Sequence, residues 1–349
     1  MSNLHGNGVG RMTIREIAAE CGVSRGTVDR VINGRGKVHP ETEMRVLRAL
    51  QKAGYQKNIA GRALTVKKAA PVIAVLISSI GNPFFCDVIA GIRKAEAELS
   101  DYGVSILLLE MKGYNRDEQL KLIQSAESKM AVLVIQPIDD AQIIDKVAQL
   151  SDRGIRTVTI NTDIEGSRRM CYVGSDYYSG GVTAAGVVRL VTGGRARLCI
   201  IAGVDKVLGH RQRLAGFMEH ILKHCPDISI AAVRSGEDDI SYAYQATKAA
   251  LAEDTSIDTV MVMAAGLEGV CKAIKEKKTQ KPISLFAFDN IPSTGPEMES
   301  GLVKAVICQA PFEQGYRAVR AAFDIILAGS VQNEKIIMEN QIKIIENLS

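Results

Sequence analysis

Two groups of polar residues are spaced to do chemistry. The first is Ser24, Arg25, Gly26, Thr27, Asp29, Arg30 and Asn33. On a helix these put hydroxyls, an amide and guanidinium groups on or near one face. Their chemistry is hydrogen bonding to bases and phosphates: an arginine donates two parallel bonds to guanine O6 and N7. Gly26 offers no side chain, so one base position is loosely read; Asp29 either accepts from a cytosine amine or points away. The second group is Asn82, Phe84, Phe85, Asn115, Asn161, Arg211, Asp289 and Gln309. Asn and Gln both donate and accept, and a carboxylate such as Asp289 accepts from two adjacent hydroxyls. Arg211 donates to the same hydroxyls or to a ring oxygen. A Phe face suits the C–H side of a sugar ring. This is chemistry for gripping a neutral polyol, not for breaking a bond. Each residue also has a structural use: Asp289 as a turn cap, Arg211 paired with a surface acid, Asn82 before Pro83 as a turn former, and one of Phe84 and Phe85 as core.

The elements that must position the first group are short helices. In TIREIAAECGVSRGTVDRVIN, residues 13–33, Thr13 followed by Glu16 is a capping-box start. Ile14, Ile17 and Ala18 form an apolar stripe, and Gly22 ends the helix. Ser24 then caps a second helix whose Val28, Val31 and Ile32 point inward. A helix with polar, basic residues at its N-terminal end has the geometry of one that enters a major groove. The competing reading is an ordinary helix pair, because such shapes recur without DNA. After a loop at 34–38, Pro40 opens a third helix that runs to about Ala53, with Val46, Leu47 and Leu50 closing a three-helix core.

The second group needs strands. From Pro71 onward, β-rich runs (Val72–Ile77, Ser105–Leu109, Val132–Ile135, Thr157–Ile160, then Leu198–Ile201, Ile228–Val233, Thr259–Met263 and Ser284–Phe288) alternate with helical patterns. This predicts α/β architecture with parallel sheets, in two similar lobes. Ligand residues in such folds sit just past the C-terminal ends of strands, and the candidates lie there.

Ala18, Gly22, Val23, Ser24, Thr27, Val28, Arg30, Val31 and Asn33, continuing through His39-Pro40-Glu41-Thr42 and Gly54-Tyr55, resemble the headpiece of the lactose-repressor (LacI) family of bacterial transcription regulators. The rest of the chain resembles the periplasmic sugar-binding-protein fold (ribose-type) that this family uses as its sensor. The resemblance implies a small all-α helix-turn-helix headpiece at 12–56 and a two-lobed sensor at 71–349 with three crossovers, near Gly174–Asp176, Gln309–Pro311 and Asn340. Lobe one is then about 71–175 and 310–339, and lobe two about 176–309 and 340–349. Thr13, Ser24, Arg25, Gly26, Thr27, Asp29, Arg30 and Asn33 are the implied DNA contacts. Residues 57–70 become a hinge that is helical on the operator and a flexible linker off it. In it Leu64 wedges into the minor groove, Ala60 and Ala63 face the partner hinge, and Arg62 lies near phosphate. Gly61 stands where alanine is frequent. The pattern also departs at Thr162, where the ribose type has arginine, and at Ala264-Ala265-Gly266, where an Asn-Asp pair is usual. These departures leave the particular sugar open, and the nearness of Arg211 to Arg213 leaves a sugar phosphate open.

Composition sets the remaining bounds. Residues 1–68 hold thirteen Lys/Arg against five acids, a net of +8, which leaves −4 for the remainder of a chain whose total is +4. A basic module on an acidic body suits phosphate contact. Apolar runs are of strand length, too short to span a bilayer. Residues 1–11 read as a disordered tail without a signal-peptide core. Its glycines do not follow a strand and are no nucleotide loop. Seven scattered cysteines without CxxC spacing predict reduced thiols in a cytoplasmic protein. His220 and His224 sit four apart with no third ligand and read as a solvated helix face rather than a metal site. No nucleophile, P-loop or zinc-protease motif occurs, so the expectation is no enzyme, cofactor or metal. No appended leucine-repeat helix signals a tetramer. Within these bounds, the resemblance implies a homodimeric regulator, a repressor of carbohydrate utilisation, that binds a near-palindromic operator and a small sugar or polyol, with no membrane partner. The alternative is an enzyme, or a sugar-phosphate or nucleoside sensor, fused to the headpiece.

Overall fold

A computed structural model describes residues 12–33, 36, 38–53, 59–277 and 281–348, with backbone alone at 33, 59 and 60. The expected tail at 1–11, most of the 34–38 loop, the Gly54-Tyr55 turn and the start of the hinge lie outside these. The chain forms two compact units, 1–64 and 65–349.

The first unit holds α1 (Ile14–Glu20), α2 (Arg25–Asn33) and α3 (Pro40–Lys52). The capping box is present: Thr13 N–H donates to Glu16 Oε2 at 2.6 Å, and Glu16 N–H donates to Thr13 Oγ1 at 3.4 Å. The Thr13 backbone N–H, together with the Thr13 hydroxyl, holds the Glu16 carboxyl below its ordinary pKa. Gly22 takes φ 61°, and Val23 N–H returns to Ala18 O, so the chain reverses within three residues. Ile17, Ala18, Cys21, Val28, Val31, Val46 and Ala49 form the core. Leu47, expected in that core, is 49% exposed, because the helical phase set by Val46 and Ala49 turns it outward. In the segment expected as a hinge, helical on an operator and flexible off it, Ile59–Ala69 is helical (α4), and in sequence it spans the boundary between the two units. Its residues are mostly good helix formers without proline, and Val66 anchors it in the core of the second unit.

The second unit has two six-stranded sheets. Lobe one comprises β1 (Val72–Ile77), α5 (Phe84–Leu99), β2 (Ser105–Glu110), α6 (Arg116–Ala126), β3 (Met130–Ile135), α7 (Ala141–Asp152), β4 (Arg156–Asn161) and β5 (Cys171–Ser175). Lobe two comprises α8 (Tyr177–Val191), β6 (Ala196–Ala202), α9 (Leu208–His224), β7 (Ile228–Ser235), α10 (Ile240–Glu253), β8 (Thr259–Val262), α11 (Leu267–Glu276), β9 (Ser284–Phe288), α12 (Thr294–Glu299) and β10 (Val303–Cys308). The chain then returns to lobe one as α13 (Pro311–Ala328) and β11 (Lys335–Met338), and ends in lobe two with β12 (Gln341–Lys343). Strand orders are β11-β5-β4-β3-β1-β2 and β12-β10-β9-β8-β6-β7, parallel except for β12 against β10. Three crossings therefore join the lobes, after Ser175, Cys308 and Met338. Strands such as β3 (MAVLVI) are continuous apolar runs because helices cover both faces. Strands β5, β11 and β12 were not anticipated: they are three to five residues long, and CYVGS lacks a β-branched run.

One close approach fixes the site. A Cβ on Gly181 of α8 would lie 2.0 Å from Arg213 O, and one on Gly216 of α9 would lie 2.2 Å from Tyr178 O. Only glycine lets these helices touch backbone to backbone, and that contact sets the depth at which α9 delivers Arg213.

Candidate functional site

On the headpiece, Ser24, Arg25, Gly26, Asp29 and Arg30 are exposed and Thr27 is half-buried. Thr27 N–H donates to Ser24 Oγ at 3.1 Å, which starts α2 at Arg25 with its side chain free of the cap. Arg30 folds along the helix, with Nε donating to Gly26 O at 3.3 Å and NH2 to Thr27 Oγ1 at 3.2 Å. Thr13 is occupied by the capping box. The side chain of Asn33 lies outside the described residues. In α4, Leu64 is 71% exposed and Arg62 is half-buried.

Between the lobes lies a cleft lined by residues past the C-terminal ends of the strands, as the open α/β rule requires. Asp289 directly follows β9, with φ 66°. Its Oδ1 accepts from Gln309 N–H at 3.1 Å, and its Oδ2 accepts from Gln309 Nε2 at 2.7 Å. Burial pushes its carboxyl up to about 6, against the pull of nearby Arg213 and the Gln309 bonds. Arg213 is buried. Its NH2 donates to Gln309 Oε1 at 2.7 Å and its NH1 to Met263 O. Its guanidinium lies 3.7 Å from the Phe288 ring centroid and 4.6 Å from that of Tyr177. Burial lowers its pKa, and it remains a cation at any working pH.

The network continues into lobe one. Gln309 O accepts from Gln314 Nε2 at 2.8 Å, Gln314 Oε1 from Asn161 Nδ2 at 3.3 Å, and Asn161 Oδ1 from Gln136 Nε2 at 3.2 Å. Buried amides in series hold the two strand-end sets in register, since each unmade bond would cost about 1–3 kcal/mol. His210 Nδ1 accepts from Val204 N–H at 3.0 Å, and burial lowers its pKa to about 4, so the ring is neutral.

The lobes also touch directly. Asp238 Oδ2 accepts from Tyr114 OH at 2.7 Å and from Asn82 Nδ2 at 3.2 Å, and Gly209 N–H donates to Thr162 Oγ1 at 3.0 Å. The free volume left is about 40 Å³, room for a few waters. Small-ligand pockets span roughly 300–1,000 Å³, so the cleft as it stands has no room for a molecule of that size unless the lobes part.

The structure brings Asn82, Phe84, Phe85, Asn161, Asp289 and Gln309 together on the cleft wall. Phe85 belongs to the lobe-one core and Phe84 packs edge-on against it, centroids 5.1 Å apart. Two expected contacts lie elsewhere. Arg211 is 42% exposed in its side chain and pairs with Asp139 and Asp205 O; the cleft cation is Arg213. The inward face of α9, Gly209, Arg213, Gly216 and Phe217, has helical spacing that turns Arg211 out. Asn115 is exposed and caps α6, accepting from Glu118 N–H at 3.0 Å, while its neighbour Tyr114 reaches the cleft. Gln136, Tyr177, Asp238 and Phe288 were missed. Gln136 follows β3 and Asp238 follows β7, so reading past every strand end would have reached both. His220 and His224 have ring centroids 4.8 Å apart on α9. Among the described residues no group of three or more His, Cys, Asp or Glu is placed to hold a metal, and no helix is long and apolar enough to cross a membrane. The seven cysteines are free.

These features define a class: a DNA-binding headpiece joined to a two-lobed binding-protein domain. Residues 13–58 match the bacterial regulatory proteins of the lacI family, and residues 73–330 match the periplasmic binding protein domain. The chain belongs to the lacI family and is a DNA-binding regulator of transcription. The ribose operon repressor of Bacillus subtilis (strain 168) is 27% identical over 322 residues, covering 90% of this chain and 91% of that protein. Catabolite control protein A of Priestia megaterium is 23% identical over 283 residues, 80% of this chain and 82% of that one. A glucose-galactose binding protein from Geobacillus stearothermophilus shares the fold of the second unit, with a TM-score of 0.73 and 24% identity over 80% of this chain and 98% of that one.

Proposed function

We propose that the chain represses carbohydrate-utilisation genes as a homodimer on a near-palindromic operator, and that a small sugar or polyol in the interlobe cleft controls it. The observation that carries this is the cleft wall. Asn82, Phe84 and Asn161 come from one lobe and Arg213 and Asp289 from the other, so a single ligand completes its bonds only when the lobes close on it. The name of the ribose operon repressor supports a sugar as effector. Closure moves lobe one, which α4 enters in sequence, and so changes the spacing of the paired hinges of a dimer. Leu64 enters the minor groove only from paired hinges, so hinge spacing becomes operator affinity. Relief of repression by the sugar is the sign we assign.

A thermal-shift screen of sugars and polyols identifies the effector, since a ligand at 100 times its Kd adds about 2.7 kcal/mol of stability. Titrating that sugar with and without operator DNA then tests the coupling. The two affinities must differ by the same factor as operator affinity with and without sugar. Equal sugar affinity in both conditions overturns the allosteric reading. Leu64→Ala weakens operator binding and leaves the sugar affinity of the DNA-free protein intact.

A further inference from the structure

We propose that Asp238 is the protein's own anion in the cleft, and that by filling a cradle of donors drawn from both lobes it restricts the effector to uncharged sugars. This rests on the reading of the cleft as a sugar site. Three donors converge on the one carboxylate. Tyr114 OH and Asn82 Nδ2 of lobe one reach Oδ2, and Ala265 N–H of lobe two reaches Oδ1 at 2.7 Å. Ala265 lies two residues before α11, at the N-terminal end of a ten-residue helix, where backbone amides and the helix dipole favour negative charge. An amide, a phenol and a backbone N–H at a helix start make a site for an oxyanion, and a side chain of the chain itself occupies it.

The rest of the wall agrees. Asp289 and Glu268 add two more carboxyl groups, and Arg213 is the cleft's cation. Each terminal nitrogen of Arg213 already donates one bond, to Met263 O and to Gln309 Oε1, and aromatic rings cover its faces; its Nε–H is without a partner among the described residues, so the cation keeps donors for a hydroxyl while its charge faces three carboxyl groups. His210 is neutral, and Arg211 is engaged by Asp139. Glu237 and Asp238 both have left-handed backbone, φ 50° and 56°. The loop therefore holds non-glycine residues in a conformation glycine takes without strain, and that conformation aims Asp238 at its three donors.

The test compares the full-length protein with Asp238→Gly, which keeps the backbone conformation and empties the cradle, and with Asp238→Asn, which keeps the size and removes the charge. Thermal shift and calorimetry use D-ribose against D-ribose 5-phosphate, D-glucose against D-glucose 6-phosphate, and inorganic phosphate alone. We expect wild type to prefer a parent sugar over its phosphate ester by at least about 100-fold. Asp238→Gly should narrow that gap at least about tenfold, with Asp238→Asn between them. Wild type that binds an ester as tightly as the parent sugar overturns the inference and leaves the sugar reading standing. An unchanged preference in both variants removes Asp238 as the determinant. If no sugar of either kind stabilises wild type, the sugar reading falls, and the phosphate arm decides the inference: stabilisation of Asp238→Gly alone supports it, and no difference between variant and wild type overturns it.

Discussion

The two walls of the cleft are made of different chemistry. Lobe one presents Asn82, Tyr114, Gln136 and Asn161, all uncharged, with Phe84 beside them. Lobe two presents Arg213, Asp238, Asp289 and a neutral His210. An amide both donates and accepts, so the lobe-one wall adapts to either polarity at each position. A buried charge has no such latitude and must be held where its partner is. The Arg213–Gln309–Asp289 chain does that, with α9 pinned at Gly181 and Gly216. On the proposed function, lobe two fixes the orientation of the ligand and lobe one completes the grip on closing. If so, substitutions in lobe two cost far more affinity than equivalent ones in lobe one.

The sharpest way to break this contrast is Arg213→Ala. It removes the guanidinium between Phe288 and Tyr177 and strips Gln309 Oε1 of its donor. Breaking a buried ionic cluster by removing one member costs about 3–5 kcal/mol. Calorimetry should show sugar affinity down by two to three orders of magnitude, with a lower melting temperature. Normal affinity in that variant would remove Arg213 from the site. Asp289→Ala comes next: it leaves both Gln309 donors unmatched at about 1–3 kcal/mol or more, and at least a tenfold loss of sugar affinity is expected. Operator affinity of the sugar-free protein should stay close to wild type. A matching loss there would place Asp289 in the scaffold rather than the site.

How far the sequence foretold these walls follows from what each residue depends on. The α1–α2 pair was legible because capping box, glycine turn and apolar stripe are local signals that agree. The strand ends were legible because buried parallel strands are rich in apolar residues, and Asn161 closes one of them while Asp289 and Gln309 directly follow two others. Arg213 was not singled out, because choosing it over Arg211 needs the phase of α9, and that phase is fixed by contact with α8. Asn115 sat in the right loop, but Asn-x-x-Glu is a capping pattern, and the cap claimed it. Asp238 was missed because its donors arrive from Asn82, Tyr114 and Ala265, which only tertiary structure brings together. The short strands β5, β11 and β12 were missed because their pairing partners, not their residues, make them strands.

The pH dependence of binding sharpens the contrast from the lobe-two side. Burial holds the Asp289 carboxyl near 6, so it is ionised at pH 7 and mostly protonated at pH 5. Ligand hydroxyls donate to the ionised form, so affinity is nearly full at pH 7, about half at pH 6 and about tenfold lower at pH 5. The sign for folding is opposite. A carboxyl raised from its ordinary 3.8 favours the folded state at low pH, and that contribution is lost as pH rises through 6. His210, lowered to about 4, stays neutral across the same window and adds no slope to binding. Asp289→Asn should bind weakly and flatten the profile. A tenfold decline that persisted in this variant would assign the titration to another group.

The smallest effect belongs to lobe one. Asn161→Ala removes one amide from the series between Gln136 and Gln314, leaving Gln136 Nε2 and Gln314 Oε1 each short of a partner. Both are neutral amides beside a cleft that admits water once the lobes part, and a neutral hydrogen bond contributes about 0.5–1.5 kcal/mol net. Sugar affinity should therefore fall by only about two- to tenfold, less than for either lobe-two variant. The loss should also be coupled to Asp289. The chain of amides runs from Asn161 through Gln314 and Gln309 to that carboxylate, so a double-mutant cycle between Asn161→Ala and Asp289→Ala should show a coupling energy of roughly 0.5 kcal/mol or more. Simple additivity would mean that the two walls grip the ligand independently. A lobe-one loss as large as that of Arg213→Ala would end the distinction between a wall that orients and a wall that closes.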